Sequence, residues 1–275
     1  MTVIIRSDII KKWLGHDDAF NKVKAIQGLV VRSKEGRTTQ RFEIDGNGFY
    51  AKLHEGVGWG EVVKNLTQLR LPIIGATNEW KAINRLHELG LDTMNAVAFG
   101  KKGLNPASQT SFVITEELSE TISLDLFTEG WPKTPPNYQL KLALIKKVAD
   151  ISRTLHEDGI NHRDLYICHF LLNISRGSDN LEPEKLHLHL IDLHRAQIRT
   201  TVPLRWLVKD MGSIYFSALD IGLTQRDVYR FLKSYFQLPL RQILKEKMSF
   251  LQASEQRAIK LYKRDFKRPP NLPWR

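Results

Sequence analysis

At 275 residues with 42% hydrophobic side chains, the chain is long enough to fill one large core or two smaller ones, and a folded globular protein is expected. Its single cysteine, Cys168, excludes an internal disulfide and suits a reducing compartment, the cytoplasm, and no stretch nears the ~20 consecutive apolar residues of a membrane-spanning helix. Lysine and arginine number 41 against 30 acidic residues, a net charge of +11 with pI near 9.7. That field draws anions: nucleic acid, an anionic membrane, a phosphorylated substrate or an acidic protein.

The opening "MTVIIRSDIIKKWLG" interleaves Arg6, Asp8, Lys11 and Lys12 with aliphatics, unlike a secretory or transit segment. "GLVVRSKE", "RFEI" and "FYAKLH" are β-branched or aromatic runs separated by "GRTTQ" and "DGNG", which predicts an antiparallel meander with turns at those two places. "GEVVKNLTQLR" predicts a helix stopped by Pro72. A second helix is expected from Asn78, as cap, to Gly90, with Glu79, Ile83 and Leu86 on one face. A carboxylate on an inward face needs a cation.

"SFVIT" predicts a strand, and "EELSET" a short bridge into a helical second half. Leu144, Val148, Ile151 and Leu155 recur at helical spacing up to Asp158-Gly159. "FLLNIS" and "LHLHLID" predict a two-stranded ribbon whose turn is the insert "RGSDNLEPEK". Helices are expected around "DMGSIYFSAL", "QRDVYRFLKSYF" and "EQRAIKLYKRDF".

Four residues of this layout carry chemistry: Lys52 at a strand end, Glu79 on a helix, Asp164 in the loop "INHRDLYICHFLLN", and Asp192 at the end of a strand. Phosphoryl transfer from ATP asks for these roles. A lysine bridges phosphates, a carboxylate holds the lysine, one aspartate accepts the alcohol proton and another binds Mg²⁺. Taken singly, each has a plain reading as a solvated strand lysine, a first-turn carboxylate or a turn aspartate.

The strings "FYAKLHEG", "LRLPIIGATNEWKAINRL", "GLDTM", "GKKGLNP", "SFVITEEL", "INHRDLYICHFLLN", "IDLHRAQIR" and "GLTQRDVYRF", in this order over nearly the whole chain, resemble the lipopolysaccharide core heptose kinases that phosphorylate the first inner-core heptose of Gram-negative bacteria. The resemblance implies an α+β, two-lobed protein-kinase-like fold: an antiparallel-sheet N-lobe over 1–116 and a mainly helical C-lobe over 117–275, with ATP in the cleft. It implies ATP and Mg²⁺ as cofactors and transfer to the heptose 4-hydroxyl of an anionic lipopolysaccharide inner-core acceptor, at the cytoplasmic face of the inner membrane. Residue by residue, Lys52 resembles the ATP-phosphate lysine, Glu79 its partner, Asp164 the catalytic base, Asp192 the metal-binding aspartate and Asp210 a brace of the catalytic loop. Glu116 and Leu118 become candidates for adenine contacts by their place in the bridge.

The chain departs from the ordinary protein-kinase pattern. "KEGRTT" replaces a glycine-rich loop, so phosphate contacts are expected from Arg37, Thr38 or Thr39. Leu193-His194 follows Asp192, no A-P-E follows, and His169 stands where H-R-D-x-x-x-x-N has asparagine, beside the second metal position. A regulated protein kinase acting on tyrosine or serine, and a silent scaffold binding acidic proteins such as acyl carrier protein, are the alternatives. The missing activation segment weighs against the first, the intact Lys52, Asp164 and Asp192 against the second.

His187 and His189 lie near His162, Cys168, His169 and His194, but H-x-H on a strand is more often a solvated face than a zinc site. The absence of zinc-finger spacing or an RNP-like strand weighs against nucleic acid. The run from Arg257 to Arg275, with Ile259, Tyr262 and Phe266 at helical spacing, reads either as a packed surface helix or as a basic contact with an anionic membrane surface.

Overall fold

In the first 25 residues, two short helices are started by side-chain caps that take up otherwise unsatisfied backbone N–H groups. Ser7 accepts from Ile10 N to open α1 (Asp8–Leu14), and Asp18 accepts from Phe20 N and Asn21 N, both at 3.0 Å, to open α2 (Ala19–Lys24). The computed structural model describes residues 1–34, 36–56, 58–60, 75–105 and 107–273, which form two compact units.

The first unit comprises Met1–Glu88, Met94–Ser119 and Asp192–Arg195. Its sheet contains β1 (Thr2–Ile5), β2 (Leu29–Lys34), β3 (Arg37–Ile44), β4 (Asn47–His54), β5 (Ala96–Lys102) and β6 (Thr110–Glu116), in the order β1-β5-β6-β4-β3-β2, every pair antiparallel. The "DGNG" turn is as expected: Ile44 pairs with Asn47, and Asp45 and Gly46 both take positive φ, the geometry that tightens a two-residue hairpin. "GRTTQ" is not a turn. Lys34 pairs with Arg37, so strand pairing starts at Arg37, and these polar residues are held by their place in the ladder.

The predicted helix at 60–70 lies largely outside the described residues. α3 (Thr77–Glu88) begins one residue before Asn78 and buries Glu79, Trp80, Ile83 and Leu86. Helices α1 and α2 close the core with Ile10, Leu14, Phe20 and Val23 against Phe42, Phe49, Phe112 and Ile114. Burying such side chains contributes ~1.5–3 kcal/mol each.

The second unit comprises Leu89–Thr93, Glu120–Ile191 and Ala196–Arg275. α4 (Leu124–Thr128) is followed by α5 (Tyr138–Glu157), opened by Asn137 accepting from Gln139 N at 2.8 Å. Gly159, at φ +78, ends this run where a Cβ would strike the carbonyl of Arg199. The expected ribbon is present as β9 (Phe170–Asn173) against β10 (Leu188–Leu190), and β7 (Thr121–Ser123) of the bridge adds a third strand. A separate pair joins β8 (Ile160–Asn161) to β11 (Gln197–Ile198).

Four further helices complete the unit: α6 (Leu204–Ser217), α7 (Gln225–Phe236), α8 (Leu240–Glu246) and α9 (Met248–Phe266). Gly212 lets α6 lie close against α9, since a Cβ there would meet Ser254 O and Arg257 at 2.9 Å. Between the helices lies an apolar cavity of about 110 Å³, lined by Leu144, Val148, Met211, Ile214 and Leu232 among others. Among the described residues no helix is long and apolar enough to cross a membrane.

Candidate active site

In the first unit, Lys52 is on β4, paired with Thr39 on β3 and Val113 on β6. It reaches Glu79 Oε1 of α3 in an ion pair; the Lys52 side chain is 13% exposed and that of Glu79 0%. The cation demanded by an inward carboxylate is therefore Lys52. Glu79 Oε2 is buried without a hydrogen-bond partner among the described residues, so the pair is tuned to one contact.

Arg37, His54, Asp192 and His194 extend this group. Burial lowers the affinity of the Arg37 guanidinium for its proton, while Glu79 and then Asp192 favour its charge. Burial, followed by the charges of Arg37, His194 and Lys52, pushes His54 down to about 3, so its imidazole is neutral at physiological pH. Asp192 takes a left-handed φ of 61°, and its Oδ1 accepts from His194 Nδ1 in the turn Leu193–Arg195. Leu193, fully buried, anchors that turn. Thr38 pairs with Ser33 and Leu53 inside the sheet, and Thr39 is buried.

At the end of β6 the backbone N–H of Glu116 donates to Asn95 O at 3.0 Å, and its Oε2 accepts from Asn95 Nδ2 at 2.6 Å. That N–H is committed within the sheet. Leu118 is half-buried in the irregular stretch that follows. Sequence reasoning passed over Glu117, which accepts from Arg41 Nε at 2.7 Å and Nη2 at 2.6 Å. The Arg41 bonds hold its carboxyl below the ordinary range and tie the bridge to β3.

In the second unit the loop after β8 carries Asp164. Asp210 of α6, 0% exposed, accepts from the backbone N–H of His162 and of Arg163, each at 2.7 Å. Arg163 sits at φ +76, strain that this double bond sustains. Behind Asp210, His156 Nε2 lies 3.4 Å from its Oδ2 and His156 Nδ1 lies 2.7 Å from Tyr235 Oη. Burial first, and Asp210 second, push the Tyr235 phenol up, so it stays protonated and donates to His156. His156 and Tyr235 carry no recognisable motif; only their helical spacing into the core marks them.

His169 Nδ1 donates to the backbone carbonyl of Asp164 at 2.7 Å, and its ring stacks on that of His162 with centroids 5.8 Å apart. His162 Nε2 in turn donates to Ile191 O at 2.9 Å. Lys209 Nζ lies 3.9 Å from Asp164 Oδ1. Lys209 immediately precedes Asp210, the one signal by which sequence could have found it.

Among the described residues no three of histidine, cysteine, aspartate and glutamate converge as a metal site. His187 Nδ1 instead pairs with Asp92 Oδ2 at 3.0 Å. A single hard carboxylate such as Asp192, near enough to Arg37 to favour its charge, is a donor set that fits Mg²⁺ carried on nucleotide phosphates, because Mg²⁺ keeps several waters and takes one or two carboxylates. The His169 imidazole is the softer donor.

A family model described as the lipopolysaccharide kinase (Kdo/WaaP) family matches residues 21–235. The chain is 48% identical over 264 residues to the lipopolysaccharide core heptose(I) kinase WaaP of Pseudomonas aeruginosa, covering 96% of this chain and 97% of that protein. It is 45% identical over 262 residues to the heptose(I) kinase WaaP of Escherichia coli K12, covering 95% and 97%. A solved structure of WaaP in complex with acyl carrier protein matches with a TM-score of 0.83 and 44% identity, over 95% of this chain and 100% of that one.

Proposed function

The chain belongs to the lipopolysaccharide kinase (Kdo/WaaP) family, and from that premise we propose that it transfers the γ-phosphate of ATP to the first inner-core heptose of lipopolysaccharide, at the 4-hydroxyl. The observation that carries the phosphotransferase reading is the buried ion pair of Lys52 with Glu79, in the same unit as Asp192. The near-full-length similarity to heptose(I) kinases supports the acceptor.

In this reading Lys52, fixed in length and direction by Glu79, binds the nucleotide phosphates, and Arg37 adds a second cation to them. Asp192, oriented by His194, would hold Mg²⁺, which when bound neutralises charge on the phosphate oxygens. Asp164 accepts the proton of the attacking hydroxyl, and its backbone is held by His169 and by the Asp210 brace. Glu116 and Leu118 border the adenine through backbone groups, the Glu116 N–H excepted. Incubation with ATP, Mg²⁺ and dephosphorylated core oligosaccharide, followed by mass and NMR analysis of the sugar, tests the reading. Phosphate at the heptose 4-position is expected, and an unmodified sugar would refute it.

Acyl carrier protein, the partner in the similar solved structure, is the macromolecular partner this reading expects. The net charge of +11 suits an acidic protein. The acceptor is met at an anionic membrane surface, with Lys260, Lys263, Arg264, Lys267 and Arg268 as exposed cations and Phe266 51% exposed. Of the tail's stripe, Tyr262 is instead fully buried and donates to Asp220, while Trp274 and Arg275 lie outside the described residues. Co-migration with acyl carrier protein, and salt-sensitive sedimentation with anionic vesicles, check the two contacts.

A further inference from the structure

We propose that the rings of Tyr166, Phe216 and Phe266 form one aromatic wall beside the catalytic loop, on which a sugar ring of the acceptor is seated. The proposal rests on reading Asp164 as the residue that receives the acceptor's hydroxyl, and it names how the sugar around that hydroxyl is held.

Tyr166 follows Asp164 by two residues, and its backbone N–H donates to the Asp164 carbonyl at 3.0 Å, so one tight turn carries both ring and base. The Tyr166 ring meets that of Phe216 on α6 edge to face, with centroids 6.0 Å apart and planes at 78°. Phe216 in turn lies 6.3 Å from Phe266 at the end of α9. Three separate elements thus contribute one ring each to a continuous row, at the spacings aromatic pairs prefer. The row is fixed from behind. The N–H of Ile167 donates to Ser217 Oγ at 3.0 Å, which ties the loop to α6 beside Phe216. Tyr262 packs 4.5 Å from Phe266 and 6.4 Å from Phe216, is fully buried, and donates its hydroxyl to Asp220 at 2.8 Å.

An aromatic seal between α6 and α9 is the plain alternative, but Tyr262 already supplies one. The three rings of the wall are graded outward instead: Tyr166 and Phe216 are half-buried, and Phe266 is 51% exposed. Leaving rings this far in water forfeits part of the gain from burying them, and an exposed apolar patch with a polar rim marks a place of contact. The Tyr166 hydroxyl makes no hydrogen bond among the described residues, whereas that of the sealed Tyr262 does.

The chemistry of a pyranose matches this surface. Its faces present C–H groups, which carry slight positive charge and pack on the negative face of an aromatic ring, while its hydroxyls project from the edge. The wall supplies the flat apolar surface, and the Tyr166 hydroxyl a donor and acceptor on the same ring. Placing such a surface two residues from the base is what orienting one hydroxyl among several requires. The rim is basic, with Lys263, Arg264 and Lys267 exposed at the same end of α9. Bonds to Asp265 first, and Tyr166 after them, raise the affinity of Arg264 for its proton, which sets this cation near the Tyr166 ring. A basic rim suits a sugar flanked by anionic groups, and it continues the cationic surface proposed above for the membrane that carries the acceptor.

Fluorotyrosine labelling reads the wall without turnover. The protein has seven tyrosines, and the ¹⁹F resonance lost in Tyr166→Phe is that of Tyr166. It should shift on titration with dephosphorylated core oligosaccharide in the absence of ATP, and Phe266→Ser should move the midpoint of that titration to higher concentration. In turnover, Phe266→Ser should raise the KM for the soluble oligosaccharide roughly three- to tenfold, the scale of one aromatic contact, with kcat and the KM for ATP within twofold. Phe266→Tyr keeps the ring and should restore the native KM, and circular dichroism checks that both variants fold. A Tyr166 resonance unmoved throughout the titration, or an acceptor KM equal in wild type and Phe266→Ser, overturns the proposal. Weaker binding of Phe266→Ser to anionic vesicles with that KM unchanged would give Phe266 to the lipid surface alone, and overturns it too. A Tyr166 shift in a protein that phosphorylates no heptose leaves the wall standing as a saccharide site and removes the heptose reading.

Discussion

His169 Nδ1 donates to the backbone carbonyl of Asp164 at 2.7 Å, so the imidazole spans the catalytic loop and fixes its own tautomer. We propose that the histidine's main work is to hold Asp164; a metal-ligating histidine donates its other ring N–H in the same way, so experiment must separate the two roles. His169→Asn should therefore lower the rate of transfer while leaving the Mn²⁺-to-Mg²⁺ rate ratio nearly unchanged. Imidazole suits softer ions, so a direct ligand would make the native enzyme favour Mn²⁺ and the variant swing toward Mg²⁺. Metal titrations of both proteins at one pH separate the two outcomes.

Asp164→Ala and Asp192→Ala should fail in different ways. Loss of the base at 164 is expected to cost ~10²–10⁴ in rate with nucleotide binding retained. Loss of the carboxylate at 192 should also weaken Mg²⁺-dependent nucleotide binding, since Asp192 shares its unit with Lys52 and Arg37. Calorimetric nucleotide titrations beside the transfer assay check the division, and matching profiles for the two variants would undo it.

The Lys52–Glu79 pair separates stability from activity. Glu79→Ala leaves a nearly buried ammonium without its carboxylate and should destabilise by ~3–5 kcal/mol, the cost of breaking a buried pair from one side. Replacing both residues by methionine removes charge from both sides and should recover most of that loss, yet abolish transfer. Urea unfolding of the single and double variants reads the first effect. A double variant no more stable than Glu79→Ala would show that the pair, rather than the stranded charge, holds this region.

The long, strongly periodic elements were legible in the sequence: the meander through Lys52, α3 with its inward Glu79, α5, the ribbon, and the helices bearing Asp210 and Tyr262. Shorter pieces were not. β1 and β5 pair with each other at the sheet's edge, and neither has the alternation that announces a half-buried strand. α1 and α2, at seven and six residues, are fixed by caps and core contacts rather than by propensity. The proposed chemistry of the strands and loops was suggested by residue type and order. Its supports, His54, His156, Tyr235 and Lys209, were hidden because their meaning comes from neighbours distant in the chain. Asp210 was legible only through family resemblance, and the two backbone N–H groups that donate to it supply the physical reason for it.

His54 makes stability depend on pH in a direction that can be worked out. Its folded-state pKa, about 3, lies far below the ordinary 6.5 because burial, Arg37, His194 and Lys52 all oppose a charge there. Between these two values the unfolded chain binds a proton that the folded chain does not, so acid favours unfolding. The stability linked to this group is fully present above about pH 6.5, and falls as pH drops toward 3 by up to ~1.4 kcal/mol per unit. His54→Leu removes the titration and should flatten the dependence of urea stability on pH between 7 and 5, even if its stability at pH 7 is lower. Parallel slopes for the two proteins over that interval would mean that His54 takes up its proton in the folded state as readily as in the unfolded one, and would end this account of its burial.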